Sequence, residues 1–597
     1  MLKTFLEKAA NDQSVYITDV REAFQARGTR PFHLHVTLYD RSVRAFDLRL
    51  PETVGEDEEK FVAEYVYANV YNLLSSLGGV GIDVYLDKSD KAALALVQGL
   101  DRVFQLERDK TARTGYGKCL NVNERVLAVL LGGEEKFSFG VHDVKEEPAV
   151  EPPAAVTGRP VFDRLPTMTR GRMVLGMDIG GTDVKLAVSV DGQLALCKEF
   201  DWFPASYPLA EQITGPLLLL ARLLRAAGSL YRAGRQDEID RTALGKHATL
   251  TEMERGAEAM EKAAGGDLCS FDAIGLCFPD VVIQNRIVGG ETHKTHGLRD
   301  NPELDYEEQF AEITALNSRL AAYVVEGGPV MNTNDGPMAA FAAAVEQAAG
   351  GGDVSRGFFA HTLGTELGTG WVRPDGSIPE IPLEVYNFII DLGSHVQRGY
   401  SSDDARSVNN VNTALPGTLQ RYTGQSGVFR LAAKWLPEKA PEVLREAMDR
   451  GLFRWEGELL TVPTQPEDMR KPCLEFFMNQ AAAGQPVCQE IFREVGEYLA
   501  VTWRETGYIL QPETPDRTLF GRFVKLPACF ALMCEGAGRR EPALRQYAAD
   551  SGLANTLLMK QLDAHPDYTV AQFAQAVGAN YYRYLGHNPT PTPHIQQ

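Results

Sequence analysis

Apolar and polar residues alternate along HLHVTLYD (33–40) and again along RSVRAFDLRL (41–50). That period of two predicts a hairpin with one buried face. The acidic cluster Glu56-Asp-Glu-Glu-Lys60 then opens FVAEYVYANVYNLL (61–74), whose apolar residues follow a helical period. Carboxylates in a first turn suit the positive end of a helix dipole, so a helix is expected there. A second helix is expected over Asp90–Phe104, with strands over Val126–Leu131 and Lys136–Val141. Residues 1–143 thus read as a separate α+β unit. They carry no evident nucleophile, metal cluster or glycine loop. They are read as an accessory or interaction domain, a surface for a protein partner or for a second copy in a homodimer.

Residues 144–172 contain five prolines and few aliphatic residues, the composition of a linker. Beyond it the pattern is strand, turn, strand, then helical stretches over Leu209–Ala227 and Leu250–Ala264. The polar, basic segment Tyr231–His247 between them reads as a surface excursion. Strands and helices go on alternating to about residue 372, which predicts an α/β class.

Composition narrows the picture. A chain of 597 residues is too long for one ordinary core, so two or three domains are expected. The net charge of −20 gives no electrostatic drive toward nucleic acid, and no nucleic-acid partner is expected. The N-terminal MLKTFLEKAANDQSVY lacks a signal-peptide core. The most apolar run, Pro216–Leu224, is short, contains Arg222 and is followed by Arg225, so no membrane span is expected. Eight cysteines are scattered without a C-x-x-C pair. They read as reduced, mostly buried thiols of a cytoplasmic protein.

Three segments carry candidate chemistry. The first is VLGMDIGGTDVKLAV (174–188). Gly180 and Gly181 lack Cβ atoms, so the backbone there can turn tightly and offer N–H groups to phosphate oxygens. Thr182 adds a hydroxyl, and Lys185 adds a positive charge unless it is a solvated strand residue. Asp178 stands at the strand end, where a carboxylate could hold Mg²⁺ through water. Neither a Walker loop nor a Rossmann loop is present. The second segment, FFAHTLGTELGTGWV (358–372), repeats the strand–turn–strand pattern. Gly364, Thr365, Gly368, Thr369 and Gly370 could cradle phosphate, or could form a plain hairpin. The third, VMNTNDGPMAAFAAAVE (330–346), is a short strand running into an alanine-rich helix. Asp335 at the junction could be a helix cap, the general base for a substrate hydroxyl, or both.

Together and in this order, these segments resemble the actin-like ATPase superfamily, and within it the ROK (repressor, open reading frame, kinase) and glucokinase branch. DIGGT (178–182) stands where that family has D-[IL]-G-G-T, and NDGPMAA (334–340) where it has N-D-A-x-A-A. Gly275-Leu-Cys-Phe-Pro279-Asp280 resembles its G-x-P-G segment near the sugar, and LGTELGTGWV (363–372) its second phosphate turn. The resemblance covers about 173–372. It implies a two-lobed, ribonuclease H-like α/β fold, with lobe I over 173–336 and lobe II with helical insertions over 337–597. It implies ATP and Mg²⁺ as cofactors, with Asp178, Gly180, Gly181, Thr182, Lys185 and the second turn on the nucleotide. It implies a sugar or polyol substrate near Pro279, Asp280 and Asn334, with Asp335 as base. The expected activity is that of an ATP-dependent sugar kinase. The alternative is a catalytically weak sugar sensor or scaffold with the same fold.

Several segments depart from the family pattern. Its cysteine-rich zinc run is missing. Its G-E-x-G-H segment is replaced by residues 379–391, in which Glu380 or Glu384 could meet a sugar hydroxyl or simply face solvent. The amide- and hydroxyl-rich stretch 407–427 could recognise a polyol or be a long capped loop. On the adenosine side, Gly521, followed by Arg522 where the family has a second glycine, and Gly536 are two candidates for the late turn. His293 and His296 are read as substrate contacts or surface residues.

Overall fold

The alternating segments do form a hairpin. In the computed structural model, β1 (Phe32–Thr37) pairs antiparallel with β2 (Val43–Asp47), turning at Leu38–Ser42. With β3 (Gly81–Leu86) and β4 (Ser138–Asp143) they make one sheet in the order β2-β1-β3-β4. Phe32, Leu34, Val36, Val84 and Leu86 are buried, the core face that the period-two pattern called for. The acidic cluster begins a helix over Glu56–Ser76, and Asp90 caps the helix Lys91–Gln98 through the N–H groups of Ala92 and Ala93.

One expected strand is a helix. Residues 126–131 belong to the helix Cys119–Leu131, which ends on Gly132 in the left-handed conformation. The run NERVLAVLL consists largely of good helix formers. Its buried residues Asn123, Val126 and Leu127 recur at helical spacing rather than alternately.

The structure describes all residues except 133–134, 154–155, 157–160, 290–294, 545, 549–552 and 583–597. They divide into two units: Met1–Ala155 with Ala360–Thr369 and Ile381–Ala548, and Val156–Phe359 with Gly370–Glu380 and Ala549–Gln597.

In the first unit, buried polar groups tie the N-terminal helices Ile17–Arg27 and Glu56–Ser76 to later segments of the chain. Arg21 donates to both carboxylate oxygens of Glu505 (2.5 and 2.9 Å) and to Asn69 (2.6 Å), with its guanidinium 3.9 Å from the Tyr508 ring centre. Asn72 donates to Glu505 and exchanges hydrogen bonds with the backbone of Ile389. Asp391 accepts from the Val15 and Gly393 N–H groups and from the Tyr422 hydroxyl.

The second unit is built on β5 (Met173–Ile179), β6 (Asp183–Val190), β7 (Gln193–Asp201), β8 (Ala273–Phe278) and, after the short β9 (Val282–Ile283) and β10 (Arg286–Ile287) hairpin, β11 (Val330–Asn334). Their order is β11-β8-β5-β6-β7. β5, β6 and β7 form an antiparallel meander, and β8 and β11 run parallel to β5. This is the ribonuclease H-like α/β arrangement. The helix Glu211–Arg232 is long and apolar enough to cross a bilayer, yet it is mostly buried, with Leu217, Leu220, Leu223 and Leu224 in the core of this unit.

Gly176 and Gly275 lie directly opposite each other on β5 and β8. A Cβ on either would stand 1.9 Å from a carbonyl of the helix Val570–Tyr582, on Ala576 and Ala579 respectively. The two glycines let that helix lie flat on the sheet. Gly275, part of the sugar-site resemblance, is therefore a packing residue.

A second sheet, β13-β12-β16-β17, joins β12 (Phe358–Leu363), β13 (Leu367–Val372), β16 (Arg517–Gly521) and β17 (Gln546–Ala548). β16 runs parallel to both β12 and β17. Its order matches β6-β5-β8-β11. The hairpin of β14 (Arg454–Glu456) and β15 (Leu459–Thr461) stands apart from it.

Candidate functional site

The β5–β6 hairpin puts Asp178 at the end of a buried strand. In the sheet register, Cys277, Asp178, Lys185 and Glu199 face one another in a row across β8, β5, β6 and β7. The Cys277 thiol donates to the Asp178 carboxylate at 3.2 Å. Burial pushes the Asp178 carboxyl up to about 6, against the opposing pull of Lys185 and the thiol hydrogen bond. The negative charges of Asp335 and Asp183 act in the same direction as burial.

Asp335 comes from the junction of β11 and the helix Asp335–Ala349. The cap is one residue earlier than a cap reading of Asp335 would place it. Asn334 accepts the Gly336 N–H (3.0 Å) and donates to the Asp280 carbonyl (2.7 Å). Asp335 is the first helical residue, its carboxylate accepting the Gly336 N–H at 2.8 Å. Gln575 holds its carbonyl at 2.7 Å. Asp280 is buried just past the end of β8 and accepts the Val281 N–H.

At the turn itself, Gly180 donates its N–H to the Asp183 carbonyl at 2.9 Å, and a Cβ there would come within 2.8 Å of the same oxygen. Gly181 is half-buried and Thr182 exposed. Lys185 is not a solvated strand residue, since its side chain is 12% exposed and pairs with Asp183. Asp178, Asp335, Lys185 and the Gly180–Thr182 turn are thus brought into one acidic centre. Asp183 joins them through its ion pair with Lys185.

A divalent cation suits that charge. Among the described residues, no three His, Cys, Asp or Glu side chains are grouped to hold a metal. A cation here would keep most of its water shell, as Mg²⁺ prefers.

The first unit carries the second turn. Gly364 donates its N–H to the Glu366 carbonyl, and its own carbonyl accepts from Gln425. Gln420 donates to the Glu366 carboxylate at 2.7 Å. Thr365 is exposed. Leu363 lies opposite Gly521 in the sheet. Gly521 has a φ of +97° and no room for a Cβ, which would sit 2.2 Å from the Leu363 carbonyl. Both facts require glycine there. Arg522 pairs with Glu475.

Three of the candidate phosphate contacts have packing or hydrogen-bonding roles in the fold. Thr369 is buried and hydrogen-bonded to His361 (3.0 Å), whose imidazole burial drives down to about 3. Gly370 lets β13 pass the helix start, where a Cβ would meet the Gly336 carbonyl at 2.3 Å. Gly536 is not in a turn. It lies inside the helix Pro527–Arg540, and a Cβ would stand 1.8 Å from the Arg493 carbonyl of the helix Pro486–Ile509. Close helix packing accounts for it.

Other candidates resolve as follows. Glu384 begins a short turn whose N–H bonds to Ser75, and Glu380 accepts the Gln284 N–H at 2.6 Å. Much of the polar stretch 407–427 bonds within its own unit. Asn410 accepts from the 412 and 413 N–H groups, Asn409 donates to the 398 and 400 carbonyls, and Arg421 donates to the Ser407 carbonyl. The stretch runs from a self-bonded loop through the short turn Leu419–Arg421 into the helix Gly424–Lys439. His296 pairs with Asp300 at 2.8 Å and is half-exposed; His293 lies outside the described residues.

Fold and site together define an α/β protein of ribonuclease H-like topology with an acidic centre at the carboxyl ends of its parallel strands. The sequence matches no family model and no curated protein. The chain is similar to solved structures of ROK family proteins. A ROK family glucokinase from Streptomyces griseus, in complex with glucose and AMPPNP, shares 15% identity at a TM-score of 0.37, over 68% of this chain and 98% of that one. The ROK hexokinase of Thermus thermophilus shares 15% over 68% and 97%, with a TM-score of 0.35. A ROK family protein of Streptococcus pneumoniae TIGR4, in complex with sucrose, shares 13% over 69% and 97%, with a TM-score of 0.35.

Proposed function

We propose that the protein transfers the γ-phosphoryl group of ATP to a sugar hydroxyl. The observation that carries this reading is the acidic centre itself. Asp335 stands at the mouth of a helix within electrostatic reach of the buried Asp178, on the sheet whose first turn is Gly180–Thr182. Asp335 accepts the hydroxyl proton as the oxygen attacks the γ-phosphorus and the bond to ADP breaks. Asn334 fixes the strand end that presents Asp335, through the Asp280 carbonyl. Asp178 would hold Mg²⁺ through water, and the bound ion would neutralise phosphate charge.

The test is ADP release against hexoses, N-acetylated amino sugars and polyols. At least one acceptor should stimulate turnover. Asp335→Asn should reduce that turnover by roughly 10²–10⁴-fold with unchanged circular dichroism. Absence of a stimulating sugar, or full activity in the Asn variant, sinks the kinase reading. The second reading, a catalytically weak sugar sensor, is favoured by one observation: the donors Thr182 and Lys185 are both engaged by Asp183. It predicts saturable sugar binding by calorimetry without ADP release.

A further inference from the structure

We propose that Asp183 is an internal competitor for phosphate, an autoinhibitory carboxylate on the donor set of the first turn. This rests on the nucleotide reading above. The Lys185 ammonium pairs with Asp183 Oδ1, and the Thr182 hydroxyl donates to Oδ2 at 3.4 Å. Those are the cation and the hydroxyl at the turn, and one carboxylate engages both. A carboxylate and a phosphate edge present the same acceptor geometry.

Asp183 is held there by the fold. It begins β6, its carbonyl accepts the Gly180 N–H, and a Cβ on Gly180 would lie 3.1 Å from its carboxylate. The carboxylate therefore lies over the turn. Lys185 acts on Asp178 only at a distance, while its ion pair is with Asp183. Glu199, its cross-strand neighbour, pairs with Lys246 at 3.2 Å, and Lys246 also lies 3.7 Å from Asp201, the residue opposite Asp183. Asp178 has the Cys277 thiol as a donor. Phosphate arriving at this turn must displace Asp183 from Lys185, and it meets the charge of Asp183 as well as those of Asp178 and Asp335. The turn should therefore favour nucleotide carrying its full complement of divalent cation over the bare polyanion.

The experiment is calorimetric titration of ATP into the full chain, with and without Mg²⁺. It compares wild type with Asp183→Asn and Asp183→Ser, each also in a Lys185→Met background. Removing the competing charge should tighten ATP roughly three- to tenfold, most without Mg²⁺. The gain should shrink when Lys185 is Met, where only the direct repulsion by Asp183 is left to relieve; an equal gain in both backgrounds overturns the competition for Lys185. Wild-type binding that neither Asp183 variant strengthens overturns this inference and leaves the nucleotide reading standing. Absence of ATP binding in every variant overturns both.

Discussion

Asp178 concentrates the electrostatics of the centre in one side chain. Its folded carboxyl titrates near 6 against an ordinary value of 3.8, so folding favours its protonated form. The associated stability is full below about pH 3.8 and is lost as pH rises through about 6, up to about 3 kcal/mol at 1.36 kcal/mol per unit. Asp178→Asn should therefore melt several degrees above wild type at about pH 7.5, with the gap closing toward about pH 4. Equal melting curves at both pH values would show the carboxylate to be well solvated. Adding Mg²⁺ at neutral pH should raise the wild-type midpoint and leave that of the variant unchanged. At this scale the sequence was informative but incomplete. Asp178, Asp335 and the paired glycines stand out by type and spacing. Asp183 does not, because a polar residue opening a strand is ordinary until its carboxylate is seen on Lys185.

Elements are placed by what is missing from their surfaces. Gly176 and Gly275 form a flat pair under the helix Val570–Tyr582, whose carbonyls come within 1.9 Å of where their Cβ atoms would be. Gly275→Ala must push the helix off the sheet or bend the strand. It should cost about 1–3 kcal/mol in urea unfolding, and Gly176→Ala should cost a similar amount. A silent Gly275→Ala would mean that the helix can shift without loss. Gly370→Ala acts instead on the start of the helix that carries Asp335, through the Gly336 carbonyl at 2.3 Å. It should lower ADP release while a sugar-independent property, the far-ultraviolet spectrum, stays constant. The helix Cys119–Leu131 and the cap on Asn334 show how far local reading goes. A short apolar run has no unique period, and a cap is decided by which side chain reaches the first N–H groups.

For the molecule as a whole, the helix Ile17–Arg27 and the helix Pro486–Ile509 are joined by a buried charge pair. Arg21 and Glu505 are both almost fully buried. Breaking the pair on one side leaves an uncompensated charge. Arg21→Met or Glu505→Met should each cost about 3–5 kcal/mol in denaturant unfolding, while the double Met variant should recover most of the loss. Additive single losses in the double variant would exclude coupling. The partners are 484 residues apart in sequence, so no local pattern links them. The order of residues is enough to read the α/β class, the hairpins and the glycine turn at Gly180–Gly181, and to single out Asp178 and Asp335 as candidates. Each follows from side-chain periodicity or from a backbone that only glycine permits, and both are local properties. The packing roles of Gly275, Gly370 and Gly536 come from contacts between distant segments, and that of Thr369 from its bond to a buried histidine. Tertiary structure also decided that Asp183 holds Lys185 beside the first glycine turn and that residues 1–155 group with 381–548. Those outcomes depend on which surfaces meet across long stretches of chain, and burial, not residue type, sets the energy of each contact.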